Sequence, residues 1–304
     1  MASSLLTNSA AMTALQTLRS VSTNMQTTEN RISTGQRVAT ASDNSAYWSI
    51  ATSMRADNAA LSAVSDSLGL SAATVDTEYT ALTSVLGSDG NSGLTKLQSL
   101  LVEAKTAGID RKKIQTEITQ IQQDMKNTAN SATFNGVNWL STNATTPTTV
   151  NLVSSFSRVG GVPTINTISV TVASYSLYTS TQTGFLDTVG GGGSSIDNLN
   201  IGALTDSAAD QTTLDGLIAQ VTGAINTVSQ AAADLGAIKN RIGNNTDFVK
   251  SLMDSVTRGI GQLVDADMNA ESTRLQALQV QQQLGVQALS IANQNSQSIL
   301  SLFK

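Results

Sequence analysis

Cysteine and histidine are both absent from this 304-residue chain. Without cysteine there is no disulfide, no thiolate nucleophile and no thiolate-ligated metal. Without histidine there is no His-based triad, no HExxH zinc site and no customary proton shuttle. Proline occurs only twice, Pro147 and Pro163, both in the middle, so everything outside that middle is free to form long helix. Charged residues make up 13% of the chain, about half the usual share. The net charge of −5 leaves no basic footprint for nucleic acid or anionic lipid. No run of apolar residues is long enough to span a bilayer. No cleavable secretory signal is expected either, since Thr7, Asn8 and Ser9 interrupt the only early apolar run.

Metal and cofactor signatures are equally thin, and none is expected. Asp265, Asp267 and Glu271 lack the Asp-x-Asp-x-Asp-Gly loop of a calcium site and read as a capped joint. Gly190 to Gly193 is followed by no Gly-Lys-Ser/Thr and reads as a turn or hinge. The sequons at Asn143 and Asn244 are short enough to occur by chance. Trp48 and Trp139 read as core or interface anchors.

What the chain does have is two charge-free ends. Leu275 to Phe303 holds no ionisable side chain, and ten of its residues are Gln or Asn. A 3-4 step runs through Leu275, Leu278, Gln282, Gly285, Leu289, Ala292, Ser296, Ile299 and Phe303, with a second row at Val280, Leu284, Ile291 and Leu302. This is a helix with a broad apolar stripe and a neutral, hydrogen-bonding remainder. Soluble helices normally show charge to water and membrane spans exclude amides, so such a helix suits surroundings made of other protein copies. The start of the chain repeats the pattern with Leu5, Leu6, Met12, Leu15 and Leu18 before the first charge at Arg19; Met25 and Ile32 continue it.

Between the ends, Met54, Asn58, Leu61, Ser65, Leu68, Ala72, Val75, Tyr79, Leu82 and Leu86 follow coiled-coil spacing, with Ser42 and Asp43 as expected N-caps. The Gly87–Gly93 cluster ends that helix, and shorter helices follow around Leu94–Lys105 and Ile114–Met125. Phe134-Asn135-Gly136-Val137 reads as a hairpin turn. From Ser141 to about Asn200 the composition turns to Thr, Ser and Gly, and Val170, Val172 and the residues to Tyr178 alternate like a strand. A second long helix starts near Asp210, keeps a 4-3 step from Leu214 to Leu263, and slips register at Asp265-Ala266-Asp267, which marks a joint. Ser33-Thr34-Gly35-Gln36 interrupts the first helix at a matching distance from its own terminus. The helices go out and come back, so the termini lie together.

These segments resemble bacterial flagellin, in particular the short flagellins of alphaproteobacteria. Arg31-Ile32-Ser33-Thr34-Gly35-Gln36-Arg37-Val38 resembles the family's first joint, and Ala41-Ser42-Asp43-Asn44-Ser45-Ala46 the start of its long helix. Thr133-Phe134-Asn135-Gly136 resembles its hairpin, and Leu235-Gly236-Ala237 with Asn240-Arg241 its returning helix. Asp265-Ala266-Asp267 with Glu271 resembles the second joint; Ala292-Asn293-Gln294 and Leu300-Ser301-Leu302 resemble the closing helix. The resemblance implies a mainly α fold: long coiled-coil-like helices from both chain ends packed together, with a β-hairpin and a small β-rich central outer domain. Residues 1–40 and 265–304 would be inner-tube helices, 41–141 and 200–264 a helical core, and 142–199 a variable outer region.

The resemblance also implies function and partners. The expected role is a subunit exported unfolded through the flagellar channel and polymerised, alone or with other flagellins, into the extracellular filament. An export chaperone, the export apparatus and the filament cap are its implied partners, with no nucleic acid and no membrane insertion. Filament packing falls to Leu5, Leu6, Met12, Leu15, Leu18, Met25, Ile32, Leu275, Leu278, Leu284, Leu289, Ile291, Ile299, Leu302 and Phe303. Arg31, Arg37, Asp43, Asp265 and Asp267 are joint residues, read either as solvated charges or as inter-subunit contacts. Many flagellins carry a Leu-Gln-Arg-Val-Arg-Glu-Leu stretch bound by an animal Toll-like receptor. Here Ser99 stands for the first arginine and Glu103 for the last leucine, and only Glu117 of the neighbouring contact segment is retained, so weak recognition is expected. The rival readings are a hook–filament junction protein, a secreted amphipathic membrane translocator, and an enzyme within 141–204, whose charged residues would be Arg158, Asp187 and Asp197 alone.

Overall fold

The computed structural model describes residues 8–143, 146, 148–159, 162–190 and 193–301. Among the described residues six α-helices dominate: α1 Ser9–Thr34, α2 Ser45–Leu86, α3 Gly93–Ala104, α4 Arg111–Ser131, α5 Ala208–Val264 and α6 Met268–Ser301. The described residues between α4 and α5 form four strands: β1 Ser141–Thr142, β2 Thr149–Val159, β3 Val162–Thr171 and β4 Tyr178–Thr179. The chain forms two compact units, Met1–Ala59 with Met253–Lys304, and Ala60–Leu252.

In the Ala60–Leu252 unit the heptad spacing is realised as burial. Along α5, every seventh residue from Leu214 through Val221, Val228, Leu235 and Ile242 to Val249 is buried. Along α2, two such rows are buried: Leu61, Leu68, Val75 and Leu82, and beside them Val64, Ser71, Glu78 and Val85. Helices α2 and α5 meet through the Lys239–Asp76 ion pair, with the Lys239 ammonium also 5.6 Å from the centre of the Tyr79 ring. α3 and α4 pack together, presenting Leu94, Leu97 and Leu101 with Ile118 to the same core.

The turn between α2 and α3 needs glycine. Gly87 and Gly93 sit at φ 69° and 58°, and a Cβ on either would fall 1.9 Å from the Ser92 carbonyl oxygen or 2.1 Å from that of Val85. Only a residue without a side chain lets the chain reverse so tightly. At Phe134–Val137 the Asn-Gly turn forms as the sequence implies: Asn135 and Gly136 both have positive φ, 49° and 78°, and Phe134 and Val137 exchange backbone hydrogen bonds of 2.9 and 3.0 Å. This is the primed turn geometry that Asn-Gly favours.

The central excursion differs from its sequence reading. The expected strand from Val170 to Tyr178 ends at Thr171, and residues 172–174 turn through a short 3-10 helix before β4. β2 and β3 form an antiparallel hairpin with an irregularity between Val153 and Ser155, and β1 pairs in parallel with β4. Val172, Leu177, Leu186, Ile196 and Leu199 are buried, so this segment contributes to the unit's core. At the ends of the Gly190–Gly193 segment, whose residues 191 and 192 lie outside the described residues, Gly193 N–H donates to the Gly190 carbonyl at 3.0 Å and Gly190 N–H to the Ser194 carbonyl at 3.3 Å. Of the two tryptophans, Trp139 is fully buried, whereas Trp48 is 36% exposed.

Arg111 and Glu78 are among the polar side chains buried in this core. Arg111 is buried and donates to the carbonyls of Ala104 (2.9 Å) and Leu204 (3.4 Å) and to Asp206 (2.6 Å). The Arg111 hydrogen bond, with the Gly108 N–H behind it, holds the Asp206 carboxyl below its usual range. Glu78 is fully buried on α2, and one of its oxygens accepts the Trp139 backbone N–H at 3.0 Å. Its other oxygen has no hydrogen-bond partner among the described residues. Burial raises its pKa to about 7, with the Trp139 N–H opposing.

Candidate assembly surface on the terminal helices

In the unit that holds the chain ends, α1 begins where the Asn8 side chain caps it by accepting the Ala11 N–H at 3.0 Å. It ends at Gly35, whose left-handed φ of 70° closes the last turn. α6 begins where Asp267 Oδ1 accepts the N–H groups of Asn269 (2.9 Å) and Ala270 (3.2 Å). The two helices pack antiparallel. Three contacts set the register: Asn8 Nδ2 donates to the Ala292 carbonyl at 2.9 Å, Leu18 abuts Gly285, and Arg31 pairs with Glu271 at 3.1 Å. A Cβ at Gly285 would lie 3.1 Å from Leu18 Cδ1, so the glycine admits the close approach.

The joints pair with each other. Gln36 bridges to Asp265, the N–H groups of Arg37 and Val38 donate to the Val264 carbonyl at 2.6 and 3.2 Å, and Ala266 N–H donates to the Gly35 carbonyl at 2.9 Å. Val38, Ala51 and Val264 form a small buried cluster beneath this crossing, with Leu263 packed against it. The register slip seen in the sequence is a complete helix break here. Asp43 accepts from the Ala39 and Thr40 N–H groups at 3.1 and 2.9 Å and so closes the turn before α2. Those Thr40 bonds, ahead of the Arg31 charge, hold its pKa below the usual carboxylate range. The side-chain cap of α2 is Asn44, which accepts the Tyr47 N–H at 3.1 Å, rather than the expected Ser42 or Asp43.

The predicted packing residues divide by face. Leu18, Met25, Ile32, Leu275, Leu278 and Leu289 lie on the mutual α1–α6 face and are partly or fully buried. Met12 and Leu15 on α1 and Leu284 and Ile291 on α6 point outward, with 64, 38, 57 and 64% of their surface exposed; Val280 and Val286 join them at 54 and 53%. Leu5, Leu6, Leu302 and Phe303, and the Ile299 side chain, lie outside the described residues. Among the joint residues, Arg31 is engaged by Glu271 within the chain, and Arg37 donates to the Leu263 carbonyl at 3.2 Å. Asp265 and Asp267 act through the bridge and the cap already described. Sequence reading missed the Asn8 cap and the Arg31–Glu271 pair; both join residues more than 200 positions apart or act through one backbone N–H, and neither leaves a periodic trace.

No group of three or more potential metal ligands occurs among the described residues, and none of their helices is long and apolar enough to cross a membrane. What the geometry offers is a paired-helix surface with exposed apolar side chains, which on α6 form a row without charge. Comparison with known proteins gives that surface its context. Residues 5–145 match the bacterial flagellin N-terminal helical region, and residues 218–303 match the bacterial flagellin C-terminal helical region. The chain belongs to the bacterial flagellin family.

Flagellin C of Rhizobium meliloti (strain 1021) is 43% identical to it over 99% of both chains, and a flagellin of Brucella melitensis is 44% identical over 99% of both. Flagellin A of Rhizobium meliloti (strain 1021) is 39% identical, in an alignment of 402 positions that exceeds this chain's own length. The two family regions stop short of residues 146–217, the stretch that holds the hairpin β2–β3. This flagellin is therefore a structural subunit of the bacterial flagellar filament, polymerised outside the cell, and not an enzyme. Neither the junction-protein reading nor the translocator reading finds support.

Proposed function

We propose that the paired helices α1 and α6, within residues 1–40 and 265–304, form the inner tube of the filament, and that their exposed rows are the contacts between copies. The carrying observation is the split of the apolar residues into two faces. One face is already used within the chain, while Met12, Leu15, Val280, Leu284 and Ile291 remain exposed among the described residues. An exposed apolar strip flanked by neutral amides costs little to desolvate against a like strip and gains about 25 cal/mol per Å² of apolar surface covered. Residues 41–141 and 200–264 form the helical core domain, and 142–199 the variable outer region. Arg37, Asp43, Asp265 and Asp267 hold the joint at which neighbouring copies also touch. Export chaperone, export apparatus, filament cap and co-assembling flagellins are the partners this role implies.

The absence of cysteine allows a mild test. Single cysteines placed at Leu284 or Ile291 are expected to react with a maleimide in the monomer and to be protected in the filament. A cysteine at Ile165, 59% exposed on β3, is expected to react in both. Equal reactivity of Leu284→Cys and Ile291→Cys in monomer and filament would refute the assignment.

We further propose that the Toll-like receptor which reads the family's arginine-bearing stretch engages this flagellin weakly. Support comes from α3, where Leu97, Leu100 and Leu101 are buried and Ser99, Val102 and Glu103 are presented outward. Glu117 is paired to Lys96 at 3.2 Å. Leu101, where the second arginine would stand, is buried, so the presented face lacks the first arginine anchor, at Ser99; losing one such anchor costs about 2 kcal/mol, roughly thirtyfold in affinity. Receptor-reporter cells treated with purified monomer are expected to respond at least about tenfold less sensitively than to an arginine-bearing flagellin; equal sensitivity would overturn the reading.

A further inference from the structure

The row on α1 one residue on from its buried face runs Met12, Leu15, Arg19, Ser22, Gln26, Glu29. It alternates steps of three and four, so these side chains share one flank of the helix. Met12, Leu15, Arg19, Gln26 and Glu29 are all exposed. This flank carries a cation and an anion with no partner: among the described residues neither Arg19 nor Glu29 has a side-chain hydrogen bond or ion pair, whereas Arg31 is satisfied by Glu271. They cannot satisfy each other within one helix, because ten residues of helix separate them by about 15 Å.

The charge inventory restricts what can cover them. α1 and α6 carry two carboxylates, Glu29 and Glu271, and Glu271 is already taken. The matching exposed row of α6, Ala277, Val280, Leu284, Gln287, Ile291 and Gln294, is neutral throughout. A guanidinium enclosed by that row alone would be desolvated with no counter-charge, a strongly unfavourable outcome. Resting on the assembly surface proposed above, we propose that Arg19 of one subunit forms an inter-subunit ion pair with Glu29 of the adjacent copy, so that α1 flanks of neighbouring copies meet and the pair fixes their stagger.

The pair is tested by charge reversal in seeded assembly, with the critical concentration read by sedimentation and monomer folding checked by circular dichroism. Both side chains are exposed and, among the described residues, unpaired, so Arg19→Glu and Glu29→Arg should leave the monomer intact. Each single reversal is expected to raise the critical concentration about tenfold or more, since like charges then face each other across the contact. The double variant should return to within about threefold of the unmodified chain. A double variant no better than the singles, or rescue of Glu29→Arg by Arg274→Glu instead of Arg19→Glu, would overturn the pair. Leu284→Asp run alongside separates the two levels. If it grows normally, the assembly surface itself is wrong; if it is arrested while Arg19→Glu grows normally, the ion pair alone is wrong.

Discussion

Leu284→Asp is expected to leave the monomer folded and to abolish filament growth. In the subunit Leu284 is 57% exposed on the outer row of α6, so an aspartate there meets water and costs the monomer little. At a packed contact between copies the same carboxylate loses its hydration with no cation on α6 after Arg274 to meet it. That costs several kcal/mol per subunit. Each 1.4 kcal/mol is tenfold in an association constant, so the critical concentration should rise a hundredfold or more. Leu289→Asp is the instructive contrast. Leu289 lies on the face shared with α1, so its loss should loosen α1–α6 pairing in the monomer itself, visible as reduced helicity. Sedimentation after seeding and far-ultraviolet circular dichroism distinguish the two variants. Normal growth of Leu284→Asp would remove the exposed row from the interface.

The second large effect concerns the fully buried Glu78. Its folded pKa of about 7 stands above the ordinary glutamate value of 4.5, so the neutral acid is the form the core prefers. The sign follows: stability from this group is fully present below about pH 4.5 and is lost as pH rises through 7, because the folded state resists an ionisation that the unfolded chain undergoes freely. The loss is on the order of 3 kcal/mol. Glu78→Gln mimics the neutral acid and keeps an acceptor for the Trp139 N–H. It should therefore stabilise the chain by a similar order at pH 8 and by little at pH 4.5. Asp43, Asp89, Asp206 and Asp210, all with lowered pKa values, act in the opposite sense, and their contributions fade as pH falls below the ordinary carboxylate range. Urea denaturation at the two pH values checks the claim; a pH-independent difference between the parent chain and Glu78→Gln would contradict it.

Periodicity carried most of the fold. The row Leu275, Leu278, Gln282, Gly285, Leu289, Ala292 is the face that meets α1, because a 3-4 step has one geometric meaning in a helix. Periodicity does not say which partner a row meets, and so Leu284 and Leu289 could not be told apart by sequence. The buried polar groups were illegible for another reason: Glu78 and Arg111 are held by backbone groups of Trp139, Ala104 and Leu204, whose positions depend on tertiary structure. The central strands were misplaced because pairing such as Asn151 with Ser169, rather than local alternation, decides where β3 ends. The joints were visible because glycine, aspartate and a register slip coincide there, and the Gly35–Ala266 and Arg37–Val264 hydrogen bonds show them to be two halves of one crossing.

The most direct test is a helical reconstruction by electron cryomicroscopy of filaments grown from this chain. The predicted result places α1 and α6 on the inner wall, with Met12, Leu15, Leu284 and Ile291 enclosed between copies and the hairpin β2–β3 at the outer surface. A filament in which those four side chains face solvent, or in which β2–β3 makes the continuous contacts between copies, would contradict the assignment.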